Sequence, residues 1–217
     1  MEGLGPLSKF PCRLYISTPV DYPLDVATAM LNDVLGAYDI AAVLYRRSGK
    51  DAHEYASALM QCAIDNETAF IIADDIAFTR EIGADGVHIS GAGETYGKAR
   101  SELGDDCIIG ISTALNRHDA MCLGEIGANY IYFDPHTSPT SPQGSEHTLE
   151  SLIKWWSELF EVPCLAPAYA EVEKNRALIT AGVDFLSFGS SLWSSPENAT
   201  KTLQSISHLI AECGREQ

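Results

Sequence analysis

Phe70-Ile71-Ile72-Ala73-Asp74-Asp75 is followed, after a short link, by Gly83-Ala84-Asp85-Gly86-Val87-His88-Ile89-Ser90, and this pair of runs points to the architecture. Both runs are apolar and too short for a buried helix, which makes each a strand. Ile76 to Ile82 between them has the length of about two helical turns. Strand, compact helix and strand form a parallel crossover unit, and such units gather their ligands beyond the carboxyl ends of the strands. Asp74 and Asp75 stand at that place, where the first strand gives out. Two adjacent carboxylates there are candidate chemistry. An Asp just past a strand is also a good N-cap for the next helix, and for Asp75 the two readings carry equal weight.

The same alternation extends in both directions. Upstream lie a strand at Arg13 to Thr18, a helix from Pro23 to Tyr38 with Val26, Met30 and Val34 at helical spacing, and a strand at Ala41 to Arg46. A helix from about Asp51 to Asp65 follows, with Tyr55, Leu59 and Cys62 on one face. Downstream, a helix at Glu94 to Leu103 leads to a strand at Cys107 to Thr113, a helix at Asn116 to Ile126 and a strand at Tyr130 to Pro135. That strand empties into a polar loop, His136 to Glu146, either functional or a spacer. The sixth helix places Leu149, Leu152, Ile153, Trp156, Leu159 and Phe160 on one stripe. A strand at Pro163 to Ala168, a helix at Glu171 to Ala181, a strand at Phe185 to Gly189 and a helix from about Glu197 to Cys213 complete the chain; Leu203, Ile206, Ile210 and Cys213 of the last helix point inward.

Strands that are nearly continuous in apolar residues are covered on both faces. Eight strand–helix units in 217 residues predict a single compact (β/α)8 TIM barrel, one domain over 1–217 with the barrel at about 12–213. The alternative is an open doubly wound sheet, in which the first and last strands do not pair.

Thirty acidic and fourteen basic side chains give a formal charge of −16 and argue against nucleic acid as a partner. A small phosphorylated substrate is compatible with that charge, because a local cradle of N–H groups and one Arg outweighs a field screened within about 10 Å. The six cysteines form no CxxC pair and read mostly as buried thiols of a reducing cytoplasm. No run approaches the ~18 apolar residues of a membrane span, so no membrane partner is expected. Self-association into a homo-oligomer is compatible with the sequence.

Several pieces in order carry a family resemblance: Val43-Leu44-Tyr45-Arg46, Ile71-Ile72-Ala73-Asp74, Ile82 to Ile89, Gly110-Ile111-Ser112-Thr113, Gly127-Ala128-Asn129-Tyr130-Ile131 and Gly189-Ser190-Ser191-Leu192. From Leu14 to about Leu192 the chain resembles the thiamine phosphate synthase and TenI-like family of small barrels. The resemblance implies a cytoplasmic transferase of thiamine biosynthesis that joins hydroxymethylpyrimidine diphosphate to thiazole phosphate, through a pyrimidine cation, with Mg²⁺ and release of pyrophosphate.

Residue by residue, it implies that Arg46 grips diphosphate, that Ser112 and Thr140 (with Thr137 and Ser141) are catalytic, and that Asp74 binds metal. It also implies that Gly189, Ser190 and Ser191 bind phosphate. The chain departs from the family pattern in several places. A lysine is expected where Ser48 stands, with Lys50 near; an Asn where Ala73 stands; a second metal-binding Asp where Gly93 stands, with adjacent Glu94 as the replacement metal ligand; and a lysine at Pro142. A Gly-Gly phosphate clamp is replaced by Ala168-Tyr169. Two glycines let backbone N–H groups approach a phosphate closely, which a tyrosine does not guarantee.

Outside the resemblance, His88 is a base or a histidine hydrogen-bonded inside the barrel, and Asp134 is a second Mg²⁺ carboxylate or a cap for the Pro135 turn. Of Trp155 and Trp156, one is core and its neighbour interfacial or exposed. Arg46 and Arg47 have Asp74 and Asp75 as competing partners within the protein. Two functions from different classes follow: a thiamine phosphate synthase with a partly degraded site, or a non-catalytic or TenI-like binder of a small phosphorylated thiamine-pathway metabolite or of a partner protein.

Overall fold

The computed structural model of the chain describes residues 12–46, 48–90, 93–137 and 147–215, with Gly93 and Glu94 as backbone only. Eight parallel strands form a closed barrel in sequence order: β1 (Arg13–Ser17), β2 (Ile40–Tyr45), β3 (Ala69–Ala73), β4 (Gly86–Ile89), β5 (Ile108–Thr113), β6 (Tyr130–Phe133), β7 (Cys164–Pro167) and β8 (Phe185–Phe188). Closure is made by β1, which pairs with β8 from Arg13↔Phe185 to Ile16↔Phe188 while its other edge pairs with β2. The open-sheet alternative is thereby excluded. The outer ring is α1 (Leu24–Ala37), α2 (Ala52–Asp65), α3 (Ile76–Ile82), α4 (Gly93–Leu103), α5 (Arg117–Glu125), α6 (Leu149–Leu159), α7 (Asn175–Thr180) and α8 (Pro196–Cys213).

The amino end of the barrel is stitched by a repeated device. Asp85, just before β4, accepts the Phe70 N–H of β3 at 2.8 Å, and Asn129, just before β6, accepts the Ile109 N–H of β5 at 2.9 Å. Asp184, just before β8, accepts the Cys164 N–H of β7 at 2.8 Å, and Asp39, before β2, takes the Arg13 side chain of β1 at 2.7 Å. Each backbone stitch follows a glycine in the left-handed region, at Gly83, Gly127 and Gly182, which turns the chain from helix into strand where a side chain would strain it. The stretch Gly83-Ala84-Asp85 is therefore structural.

Helix starts are capped by side chains: Asp75 accepts the Phe78 N–H at 2.9 Å, and Asn116, Thr148 and Ser195 act likewise at α5, α6 and α8. Trp156 is fully buried between Phe133 and Phe160, with its indole N–H on the Val162 carbonyl. Trp155 is half-buried beneath the Arg117 guanidinium, 4.7 Å from its ring. Three expectations from periodicity are corrected. Val26 and Leu159 are 38% and 65% exposed, because the buried stripes of α1 and α6 run through Ala27–Leu31–Val34 and Leu152–Ile153–Trp156. Helix α7 begins only at Asn175, after a 3₁₀ turn (Val172–Lys174), because buried Asn175 holds the preceding loop. Of the polar loop expected at His136 to Glu146, residues 138–146 lie outside the described residues.

Candidate active site

The carboxyl mouth of the barrel opens into a cleft of about 640 Å³, with Tyr15, Arg46, His88, Ser112, Tyr132 and Ser190 among its walls. Its floor is set by strand period: side chains two apart face the same way, so Tyr15 and Ser17 of β1 turn inward together, as do Tyr130 and Tyr132 of β6.

A chain of hydrogen bonds crosses this floor. The Tyr15 and Tyr130 hydroxyls are 3.0 Å apart, the Tyr130 hydroxyl is 3.0 Å from His88 Nδ1, and His88 Nε2 is 2.9 Å from Ser112 Oγ. The His88 and Tyr130 rings stack with 13° between their planes. Room for the Tyr130 ring is made by its partner on β5, since a Cβ on Gly110 would fall 1.9 Å from the tyrosine Cζ. Burial lowers His88 to about 4, opposed by Asp74 and Asp134 and assisted by Arg46, so the imidazole is neutral at physiological pH. Burial also raises the Tyr15 and Tyr130 phenols, and raises Tyr132 to about 12 with help from Asp134, keeping all three protonated. His88 thus takes the second of its two sequence readings, a hydrogen-bonded histidine inside the barrel.

Arg46 lines the cleft and pairs with Asp74 at 3.4 Å, both side chains substantially exposed. Asp74 adopts φ +56°, a left-handed conformation in which Asp is several-fold enriched among non-glycine residues. The turn carries its carboxylate over the end of β4, where Oδ1 accepts the Ser90 N–H at 2.6 Å and Oδ2 the Ser90 hydroxyl at 2.9 Å. A carboxylate has about four lone-pair sites, so these contacts leave Asp74 room for one metal bond. Asp75 is the α3 cap, which decides between its two readings. Asp134 is a cap too, accepting from the His136 N–H at 2.9 Å and the Thr137 hydroxyl at 3.2 Å.

Among the described residues no group of three or more His, Cys, Asp or Glu side chains is arranged to hold a metal. Thr140 and the Glu94 side chain lie outside the described residues.

At the opposite wall, Gly189 and Ser190 line the cleft at the start of a 3₁₀ turn (Ser190–Ser194), while Ser191 is exposed outside its lining and its carbonyl accepts from Asn198. The β7 side differs. The Ala168 N–H donates to the Ser187 carbonyl at 2.9 Å and the Tyr169 N–H to Asn175 Oδ1 at 2.8 Å, so both donors are committed within the protein. The Tyr169 ring turns away and its hydroxyl donates to Glu150 at 2.8 Å, leaving the cleft unplugged.

Sequence reasoning passed over Tyr15, Ser17, Tyr130 and Tyr132. Their signal was the polar or aromatic residue at every second position of an otherwise apolar strand. The cysteines are all free thiols, four of them buried, Cys107 half-buried and Cys122 exposed. No helix among the described residues is long and apolar enough to cross a membrane.

Fold and site together define a (β/α)8-barrel protein with a ligand-sized polar cleft at its carboxyl mouth. The family model described as thiamine monophosphate synthase matches residues 16–192. The chain is 33% identical over 214 residues to the thiamine-phosphate synthase of Erythrobacter litoralis, covering 94% of this chain and 98% of that one. It is 34% identical over 205 residues to the corresponding protein of Rhodospirillum centenum, covering 92% and 98%. The thiamine phosphate pyrophosphorylase structure from Pyrococcus furiosus superposes with a TM-score of 0.73 at 19% identity, over 94% of this chain and 97% of that one, which shows the shared fold. The chain belongs to the thiamine monophosphate synthase family.

Proposed function

We propose that the protein is a thiamine-phosphate synthase, joining hydroxymethylpyrimidine diphosphate to thiazole phosphate and releasing pyrophosphate. The observation that carries this reading is that Arg46, Ser112, Gly189 and Ser190, which match the family's motifs at three different strand ends, line one cleft. The bond between the pyrimidine methylene and the diphosphate oxygen breaks, and the thiazole nitrogen forms the new bond to that carbon. Arg46 binds the departing diphosphate; its guanidinium has five donors, and the long contact to Asp74 leaves most of them available. Ser112 donates to an anionic oxygen beside it, and Gly189 and Ser190 hold the thiazole phosphate. Asp74 is the residue that would hold Mg²⁺, since its contacts to Ser90 and Arg46 leave room for one metal bond. When bound, that ion neutralises the charge of the leaving diphosphate.

With the charge of −16 and free thiols throughout, the substrates are small phosphorylated molecules and the compartment is the cytoplasm. Four family donors are missing at Ser48, Ala73, Pro142 and Ala168-Tyr169. Since one catalytic donor is worth roughly 2.7–4 kcal/mol, the reaction is slow unless other groups compensate. The committed N–H groups of Ala168 and Tyr169 favour a second reading, a binder of a thiamine-pathway phosphate that performs no turnover.

Incubation with both substrates and Mg²⁺ separates the two. Thiamine phosphate above the metal-free blank is expected, and its absence defeats the synthase. Arg46→Ala lowers turnover more than Asp75→Ala, which removes only a cap worth about 1 kcal/mol of stability; equal losses contradict the roles given to Arg46 and Asp75.

A further inference from the structure

The hydrogen-bond chain on the cleft floor has two ends that face the cleft, Tyr15 and Ser112, and a middle residue, Tyr130, that does not line it. Tyr15, Tyr130, neutral His88 and Ser112 carry one mobile proton each, and three hydrogen bonds link the four groups. Of the arrangements that use every bond, one has Tyr130 accept from both neighbours and strands its own buried O–H, which leaves two. In one, Tyr15 donates to Tyr130, Tyr130 donates to His88 Nδ1, and the Nε2–H donates to Ser112, whose own proton is left for the cleft. In the other, Ser112 donates to Nε2, the Nδ1–H donates to Tyr130, Tyr130 donates to Tyr15, and the Tyr15 proton is left over. The chain therefore offers a donor at one end only, and the ends are never donors together.

We propose that Tyr130 is a positioning residue that couples the two ends of the cleft, so that an anionic oxygen accepting from Ser112, with His88 then in the Nε2–H tautomer, also sets Tyr15 as an acceptor. The slot left by Gly110, which a Cβ would fill, fixes the Tyr130 ring against His88 independently of these bonds. An anion accepts and never donates, so it selects the first arrangement. Tyr15 is then an acceptor toward the cleft, and Ser112 meets the ligand with its proton already oriented. A preoriented donor acts on turnover more than on ground-state affinity.

The test uses the full chain labelled with ¹⁵N-histidine, His88 being assigned by the signal lost in His88→Gln, and inorganic pyrophosphate as the probe. Pyrophosphate is expected to drive wild-type His88 to the Nε2–H tautomer. In Tyr130→Phe the ring remains but Nδ1 loses its hydroxyl partner, so an Nδ1–H would be buried unpaired and the Nε2–H form dominates both without and with pyrophosphate, the response being lost. In Tyr15→Phe the Tyr130 proton has only His88 Nδ1 to go to, so the Nε2–H form dominates with no ligand added. A Tyr130→Phe protein that responds as wild type does, or a ligand-free Tyr15→Phe protein with mixed tautomers, overturns the coupling.

The activity arm rests on the synthase reading: Tyr130→Phe lowers kcat about tenfold or more and leaves KM within about threefold, and an unchanged kcat defeats the positioning role. Failure of the wild type to form thiamine phosphate defeats the synthase reading alone, because the tautomer measurements need no turnover.

Discussion

Acidification should destabilise this barrel through His88 in a way that one variant can isolate. The imidazole is 3% exposed, and burial lowers it from 6.5 to about 4, with Asp74 and Asp134 favouring the charged form and Arg46 opposing it. The unfolded chain takes up a proton at this residue as pH falls through about 6.5, whereas the native state declines it until about 4. Stability from this group is therefore complete above pH 6.5 and is lost on going down toward 4. The gap of about 2.5 pH units corresponds to roughly 3 kcal/mol, with a slope of up to about 1.4 kcal/mol per pH unit between the two values. Urea unfolding of wild type and His88→Gln, from pH 7.5 to 4.5, measures it. Glutamine keeps polar contacts but does not titrate, and the carboxylates common to both proteins cancel in the difference. The stability advantage of wild type over the variant should shrink by about 2–3 kcal/mol across that range. Parallel curves would refute the picture of a buried neutral imidazole.

Two further outcomes follow from contacts at the site. Gly110→Ala forces the Tyr130 ring out of its slot and should cost on the order of 3 kcal/mol in urea or thermal unfolding, as overpacking of a tight core does; a loss below about 0.5 kcal/mol means that the slot is not tight. Tyr169→Gly restores one glycine of the family's phosphate clamp but should leave thiazole phosphate affinity within about twofold by calorimetry. The N–H at this position is already bonded to Asn175, and a tenfold gain would show that it can be released.

The fold was legible because strand and helix periods differ and the turn residues repeat. Gly83-Ala84-Asp85 announced a strand and Gly127-Ala128-Asn129 another, whereas the same turn at Gly182 went unread. Val26 and Leu159 were misplaced because a periodic apolar residue at the edge of a stripe has the same sequence signal as one at its centre. The site was less legible. Arg46, Ser112, Gly189 and Ser190 were found from family motifs, and all four line the cleft. Asp74 stood out at a strand end, but its left-handed turn and its bonds to Ser90 depend on a strand distant in sequence. Tyr130 was quoted only as a mark of the family, because its partners, Tyr15 and His88, lie 115 and 42 residues away and are brought together only by barrel closure.

The stitches before β2, β4, β6 and β8 give the amino end of the barrel an approximate fourfold repeat, whereas no two neighbouring strands end alike at the mouth. Strands of four to six residues hold the two ends roughly 13–20 Å apart. Substitutions at that separation normally act independently. Ala73, Ser48 and Ala168-Tyr169, where the chain departs from the resembled pattern, thus lie apart from what keeps the barrel closed. A protein built this way can lose or change its chemistry long before it loses its shape, and the survival of the shape places no lower bound on the rate.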